Sequence, residues 1–250
     1  MKRYGIIGKS LSHSYSQQYF TKKIQKNNIL NAEYALIPID NITEVKEILN
    51  NPTFFGFNVT NPFKKVIIPF LDDITVAAQE IGAVNCVIKN ENRWIGHNTD
   101  VVGFEQTMQK VESLLRSTSK NKKHKALILG TGGASKAVGY VLMQKNIPFQ
   151  LISRTKTENT LTYSEISHFI INHHTLIINT TPLGMFPNVK QMPPIPYSAL
   201  NGKHILIDLI YNPAETLFLK EGKKRGAPTI NGMEMFTAQA EKSWELFNIE

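Results

Sequence analysis

The chain has 250 residues, 42% of them apolar, a net charge of +8 and a single cysteine. This is enough apolar material for one large core or two modest ones, and it excludes an internal disulfide. The apolar runs are too short to span a bilayer. The run after Met1-Lys2-Arg3 is too short for a secretion signal and is broken by Lys9, so a cytoplasmic protein is expected.

The charge is unevenly spread. Residues 1–100 carry 11 basic and 9 acidic side chains, residues 101–232 carry 16 and 7, and residues 233–250 carry 1 and 4. A basic field over the middle segment suits a polyphosphate ligand. Much of it also reads as solvated surface: Lys120, Lys122, Lys123 and Lys125 in a polar connection, and Lys220, Lys223, Lys224 and Arg225 at a helix end. No recognition-helix, zinc-finger or RNA-binding pattern accompanies the charge, so no nucleic-acid partner is expected.

Short apolar runs alternating with amphipathic stretches predict an α/β protein. In the first hundred residues the pattern predicts strands over 4–8, 33–37, 54–59, 83–88 and 93–96. Helices are expected over 15–27, 43–50, 62–70, 73–80 and 101–116, with Pro62 suited to a first helical turn. Cys86 falls in a strand-like run and reads as a buried thiol. Residues 117–125 form a polar connection.

A regular alternation follows: strand 126–129, helix 134–144, strand 149–152, helix 163–171, strands 176–178 and 205–207, and helix 215–225. That spacing predicts a parallel, doubly wound sheet of the Rossmann type. Residues 187–196, with four prolines, form a loop. The last helix, Met233–Phe247, is acidic and is expected to pack back on the first domain. The domains are thus 1–100, completed by 233–250, and 101–232.

Two segments carry candidate chemistry. Asn58-Val59-Thr60-Asn61-Pro62-Phe63-Lys64 and Asn98-Thr99-Asp100 each set one acid–base group among small amides and hydroxyls, just after a strand. A lysine and an aspartate so presented can bind a polyol and pass it a proton. Exposure of Lys64 on a helix is the plain alternative, although Lys65 suits that role better.

The loop Gly130-Thr131-Gly132-Gly133-Ala134-Ser135 lies between a strand and a helix. Glycines there let backbone approach a pyrophosphate, and the helix start offers free N–H groups. The next strand ends Ser153-Arg154-Thr155, with no carboxylate before Glu158. An arginine in place of the ribose-binding acid points to a 2′-phosphate, hence NADP rather than NAD. The seven histidines show no zinc-ligand spacing, so no metal is expected.

Taken in order, these motifs give the chain a resemblance to shikimate dehydrogenase, the NADP-dependent enzymes of aromatic amino-acid and chorismate biosynthesis. Its further marks are His13-Ser14-Tyr15-Ser16, Gly82-Ala83-Val84-Asn85, Asn179-Thr180-Thr181-Pro182-Leu183-Gly184-Met185, and Gly232 with Gln239. The resemblance runs nearly end to end. It implies two α/β domains: an N-terminal substrate domain and a Rossmann-type NADP domain.

It also implies roles. Lys64 and Asp100 would form the catalytic pair. Ser14, Ser16, Thr60, Asn85, Tyr211 and Gln239 would bind substrate, with His13 shaping the serine loop. Gly130, Gly132, Gly133, Ala134, Ser135, Ser153, Arg154, Thr155, Asn179, Thr180, Thr181, Gly232 and Met235 would hold NADP. The reaction would be reversible reduction of 3-dehydroshikimate to shikimate. A quinate/shikimate dehydrogenase of relaxed specificity and a non-catalytic metabolite-binding protein are the alternatives, and a monomer or homodimer is expected. Each residue has a structural alternative: a helix cap for the serines, a turn for Asn85, a solvent-facing helix position for Gln239, core packing for Tyr211 and Met235. The chain departs from the family where Gln17 replaces the usual proline and Val101 the usual glycine.

Overall fold

The computed structural model describes residues 1–11, 14–118 and 123–248, so His13, Lys120 and Lys122 lie outside the described residues. Strand β1 (Lys2–Gly8) is followed by α1 (Tyr15–Lys26), β2 (Ala32–Pro38), α2 (Val45–Asn50) and β3 (Phe54–Val59). Then come β4 (Asp73–Ile74), α3 (Val76–Ile81), β5 (Cys86–Asn90) and β6 (Arg93–His97). The six strands form one sheet in the order β2-β1-β3-β5-β6-β4.

Strands β2, β1 and β3 run parallel, with Ile7 opposite both Ile37 and Val59. Strand β5 turns back antiparallel to β3, and β6 runs antiparallel to β5. The sheet is covered on both faces. Ile7, Phe57, Val59 and Trp94 enter one core, while Tyr4, Ile6, Phe20, Tyr34 and Cys86 enter the other. The side-chain alternation of a strand sorts Tyr4 and Ile6 to one side and Ile7 to the other. Burial pushes the Cys86 thiol up to about 12, which keeps it protonated and inert.

The helix expected over 62–70 does not form. Residues 61–67 are turns and Ile68–Phe70 is a single 3₁₀ turn. Phe63, Ile68 and Phe70 donate to carbonyls three residues back. Pro69 has no N–H to donate to the Lys65 carbonyl, so an α-helical ladder cannot run through. The helix expected over 73–80 starts late, at Val76, because Asp73 and Ile74 pair with β6 and Thr75 caps the helix.

Helix α4 (Asp100–Thr118) leads to the second sheet. Its elements are β7 (Ala126–Leu129), α5 (Gly133–Gln144), β8 (Phe149–Ser153), β9 (Thr160–Thr162), α6 (His168–Asn172), β10 (Leu176–Asn179), β11 (Ile205–Asp208), α7 (Leu217–Lys223) and β12 (Thr229–Ile230). The strand order is β12-β11-β10-β7-β8-β9, all parallel. Numbered within this sheet, that is 3-2-1-4-5-6 read from the other edge, the doubly wound dinucleotide-binding order. Strands β7, β10 and β11 are fully buried, as a parallel sheet covered on both faces requires. The short strands β9 and β12 escape sequence reading because two or three residues carry no periodicity. The expected helix 163–171 is instead a 3₁₀ turn at Tyr163–Glu165 and the short α6.

The chain ends in α8 (Met233–Phe247). It divides into two compact units, Met1–Asp100 with Ala238–Glu250, and Val101–Thr237, so the division falls inside α8 rather than at its start. Among the described residues no helix is long and apolar enough to cross a membrane.

Candidate active site

In the first unit, topology gathers the polar segments at one sheet edge. The loops after β1 and β3 leave adjacent parallel strands on the same side. Strand β5 starts beside the end of β3, since it runs antiparallel, and β6 ends beside the start of β5. Residues 60–64, 83–85 and 98–100 therefore converge. Backbone bonds lock them: Val84 N donates to the Lys64 carbonyl at 2.7 Å, Asn85 N to that of His97 at 3.0 Å, and Val59 N to that of Asn85 at 2.8 Å.

Lys64 Nζ lies 2.5 Å from Asp100 Oδ2, and both side chains are largely shielded, at 14% and 9% exposure. Asp100 Oδ1 accepts from Asn85 Nδ2 at 2.8 Å. Asn85 Oδ1 in turn accepts from Thr99 N at 2.6 Å, with Thr99 Oγ1 at 3.2 Å. Thr99 Oγ1 is also 3.2 Å from Ser243 Oγ, which accepts from Asn58 Nδ2 at 2.9 Å. Asn58 Oδ1 accepts from the buried Tyr34 hydroxyl at 2.8 Å. One continuous hydrogen-bonded path thus runs from Tyr34 to the Lys64 ammonium. Such satisfied buried networks fix a single geometry.

Sequence reasoning found both ends of the Asn85–Asp100–Lys64 segment but missed Ser243 and Tyr34. Neither stood out: Tyr34 reads as an ordinary strand aromatic in β2, and Ser243 follows the charged pair Glu241-Lys242 in α8. Lys65 is exposed, the role expected for it. Burial pushes the His97 imidazole below its ordinary value, with Lys242 adding to the effect, and its Nε2 is buried without a partner.

The other substrate-side residues are placed as follows. Ser14 is the N-cap residue of α1, with extended backbone and no capping bond from its hydroxyl. Ser16 lies in the first turn of α1, half-buried. Thr60 N donates to the Ile7 carbonyl, and its methyl packs over Gly8. Gln239 is half-buried, with Oε1 3.4 Å from Thr99 Oγ1. Val101 is buried within α4.

The second unit holds the nucleotide-type loop at its switch point, between the C-terminal ends of β7 and β10. Gly130 has φ +111°, and a Cβ there would come within 2.7 Å of Thr180 Oγ1. Thr180 Oγ1 and N both donate to the Leu129 carbonyl, at 2.8 and 3.0 Å, joining the two loops. A Cβ on Gly132, in contrast, would meet nothing within 4 Å. Open space above backbone at a helix start is the cradle a pyrophosphate requires. Gly133 and Ala134 begin α5, and buried Ser135 donates to the Gly132 carbonyl at 2.6 Å, bracing the loop.

At the end of β8, Ser153 Oγ accepts from Thr155 N at 3.2 Å. Arg154 is exposed and has no carboxylate partner among the described residues, whereas nearby Lys156 pairs with Glu165. An uncommitted guanidinium at this strand end fits a phosphate.

Asn179 is fully buried. Its Oδ1 accepts from Thr181 N and Oγ1, and its Nδ2 donates to Asp208 Oδ1 at 3.0 Å. Asp208, also fully buried, further accepts from Ile210 N at 3.1 Å and Thr216 Oγ1 at 2.6 Å. Burial pushes its carboxyl up to about 6 despite those three bonds. Sequence reasoning passed over it. The signal was an acid inside the apolar run Ile205-Leu206-Ile207-Asp208-Leu209-Ile210, where a charge is buried only with partners. Tyr211 packs on Phe236 with ring centres 4.7 Å apart. Gly232 admits no side chain, since a Cβ would lie 2.0 Å from the Leu209 carbonyl oxygen, and Met235 is buried.

Comparison with known proteins agrees with this arrangement. Residues 6–87 match the model of the shikimate dehydrogenase substrate binding domain. A relative from Methanosphaera stadtmanae, named shikimate dehydrogenase (NADP(+)), is 34% identical over 97% of this chain and 90% of its own length. The crystal structure of shikimate dehydrogenase 1 from Peptoclostridium difficile superposes with a TM-score of 0.84, at 35% identity, covering 99% of this chain and 91% of that one. A Thermus thermophilus shikimate 5-dehydrogenase in complex with NADP(H) and shikimate superposes with a TM-score of 0.81, at 26% identity, covering 99% and 93%. With fold, motif order and near-complete coverage in agreement, the chain belongs to the shikimate dehydrogenase family.

Proposed function

We propose that this chain catalyses the reversible, NADP-dependent reduction of 3-dehydroshikimate to shikimate. The observation that carries the reading is the shielded Lys64–Asp100 pair, held by Asn85 at the polar edge of the first sheet. The activity in the relatives' names and the shikimate- and NADP(H)-bound structure support it.

Reducing a ketone requires hydride at carbon and a proton at oxygen. NADPH, when bound, supplies the hydride. Lys64 Nζ delivers the proton to the carbonyl oxygen and stabilises the charge that develops there. In the reverse direction the neutral amine takes that proton from the hydroxyl. Asp100 orients Lys64, and Asn85 holds Asp100 while keeping a second N–H for the substrate. Ser14 and Ser16 offer uncommitted hydroxyls to the substrate carboxylate; Thr60, Tyr211 and Gln239 complete the substrate set. Gly130 to Ser135 cradle the pyrophosphate, Ser153 to Thr155 the 2′-phosphate, and Asn179 to Thr181 with Gly232 and Met235 the nicotinamide side. We place the enzyme in the cytoplasm, as a monomer or homodimer without a nucleic-acid partner.

The test is turnover of shikimate and quinate with NADP⁺ and NAD⁺, followed at the reduced-nicotinamide absorbance band. Shikimate with NADP⁺ is expected to be fastest. Equal turnover of quinate would establish the broader specificity, and absence of turnover in all four combinations would overturn the reading.

A further inference from the structure

Within the second unit, a cleft of about 650 Å³ lies at the N-terminal ends of the central strands, away from the nucleotide-type loop at their C-terminal ends. The residues just ahead of β7, β10 and β11 line it. They contribute two ammonium groups, Lys123 and Lys203, and four imidazoles, His124, His173, His174 and His204. No carboxylate lines it among the described residues. Like charges collected without a counter-charge are unfavourable, and this cleft supplies none of its own.

The rings are fixed in a consistent way. His124 Nδ1 lies 3.3 Å from the Thr175 hydroxyl, His173 Nδ1 2.8 Å from the Phe169 carbonyl, and His174 Nδ1 2.7 Å from the Ile170 carbonyl. A ring whose Nδ1–H is given to a carbonyl keeps Nε2 free, and protonation makes Nε2–H a second, charged donor. Buried His204 instead uses both nitrogens internally, on Asn201 and on the Ile171 carbonyl, and shapes the floor. Burial holds His124 and His174 below the ordinary imidazole value; for His174, Lys125 and His173 add to the effect against its own bond to Ile170. The fold therefore lessens mutual repulsion by favouring the neutral His124 and His174 rings, a state that an incoming negative charge reverses. A metal is a poorer occupant: among the described residues no group of three His, Cys, Asp or Glu side chains stands close enough to hold one.

We propose that this cleft binds a small phosphate-bearing anion, held by Lys123 and Lys203 with the His173 and His174 rings beside them. Occupancy takes up a proton at His174 Nε2, so affinity rises as pH falls, and the bound anion reciprocally raises the proton affinity of that ring. The site is independent of turnover at the first sheet.

The experiment uses the full chain with saturating NADP⁺, so that the nucleotide loop is occupied. Histidine side-chain resonances are followed by NMR during titration with inorganic pyrophosphate at pH 6 and pH 8, against sodium chloride of equal ionic strength. Saturable shifts of His173 and His174 are expected, tighter by about threefold or more at pH 6. The Lys203→Ala, His173→Ala double variant, altered only at exposed positions, should lose the saturable His174 shift and keep wild-type shikimate turnover. Shifts no larger than chloride produces, or a His174 shift unchanged in the double variant, would overturn the proposal. Saturation by Zn²⁺ but not by pyrophosphate would reassign the cleft to a metal.

Discussion

Asn85 gives its amide N–H to the Asp100 oxygen that Lys64 does not occupy, 2.8 Å away, while its own carbonyl is taken by Thr99. One amide therefore fixes the carboxylate and the loop that carries it. Asn85→Ala leaves the buried Thr99 N–H without its acceptor, at a cost of about 1–3 kcal/mol. We expect a lower Tm, and kcat reduced more than the shikimate KM is raised. Steady-state kinetics with thermal unfolding checks this; a pure KM effect would confine Asn85 to substrate binding.

Loss of the ammonium is expected to be more severe. Lys64→Ala should lower kcat by about 10²–10⁴-fold. It also leaves the shielded Asp100 carboxylate without its counter-charge, destabilising the fold by about 3 kcal/mol. NADP binding in the second unit should persist, as titration of nucleotide fluorescence would show. Near-normal turnover would remove Lys64 from the mechanism.

Two glycines two residues apart should respond in opposite ways. Gly130→Ala sets a Cβ at φ +111° against Thr180 Oγ1, so stability should fall by about 1–3 kcal/mol. Gly132→Ala meets no protein atom within 4 Å. It should keep the wild-type Tm while weakening NADP binding about tenfold or more, by occupying the approach to the backbone. Calorimetric Kd and Tm on both variants distinguish these outcomes; a Gly132→Ala protein that binds NADP normally would place the pyrophosphate elsewhere.

Arg154 bears on cofactor choice alone. A charge-assisted bond contributes about 1.5–3 kcal/mol. Arg154→Ala is thus expected to weaken NADP by about 10- to 100-fold with NAD nearly unaffected. An unchanged ratio of the two KM values would refute the assignment.

Asp208 gives a pH signature. Its carboxyl titrates at about 6 in the folded state, above the ordinary value of 3.8. The folded state holds this proton more tightly than the unfolded state, so the linked stability is fully present below pH about 4 and is lost as pH rises through 6. The difference amounts to about 3 kcal/mol. Asp208→Asn retains an acceptor for Asn179 and Ile210 and a partner for Thr216 without the buried charge. It should match or exceed wild-type stability at pH 7.5 and lack this pH dependence, whereas Asp208→Ala should be destabilised throughout. Parallel wild-type and variant slopes between pH 4 and 6.5 would contradict the linkage.

Much of the second unit is legible from residues alone, because buried parallel strands such as Ala126–Leu129 and the 176–178 part of β10 are unbroken apolar runs separated by helices. Residues 62–70 mislead, since an apolar spacing compatible with a helix meets Pro69, and loop contacts decide the outcome. The catalytic candidates stand out as charges beside strand ends. Their supports do not: Ser243 lies far along the chain from Asn58 and Thr99, and only pairing of β3, β5 and β6 brings the last two together. Asp208 was visible as an acid in an apolar strand, but its partner Asn179 became apparent only through the β10–β11 register.

Residues 238–247 supply Ser243 to the polar path and Phe247 to the core, where its ring lies 5.2 Å from that of Tyr4. On the ribosome they are made after every residue of 101–237. Domains ordinarily complete in the order in which they are translated. Here the first unit is completed only after the second has been made, and its nascent strands must wait with one face covered by α1 alone until α8 emerges.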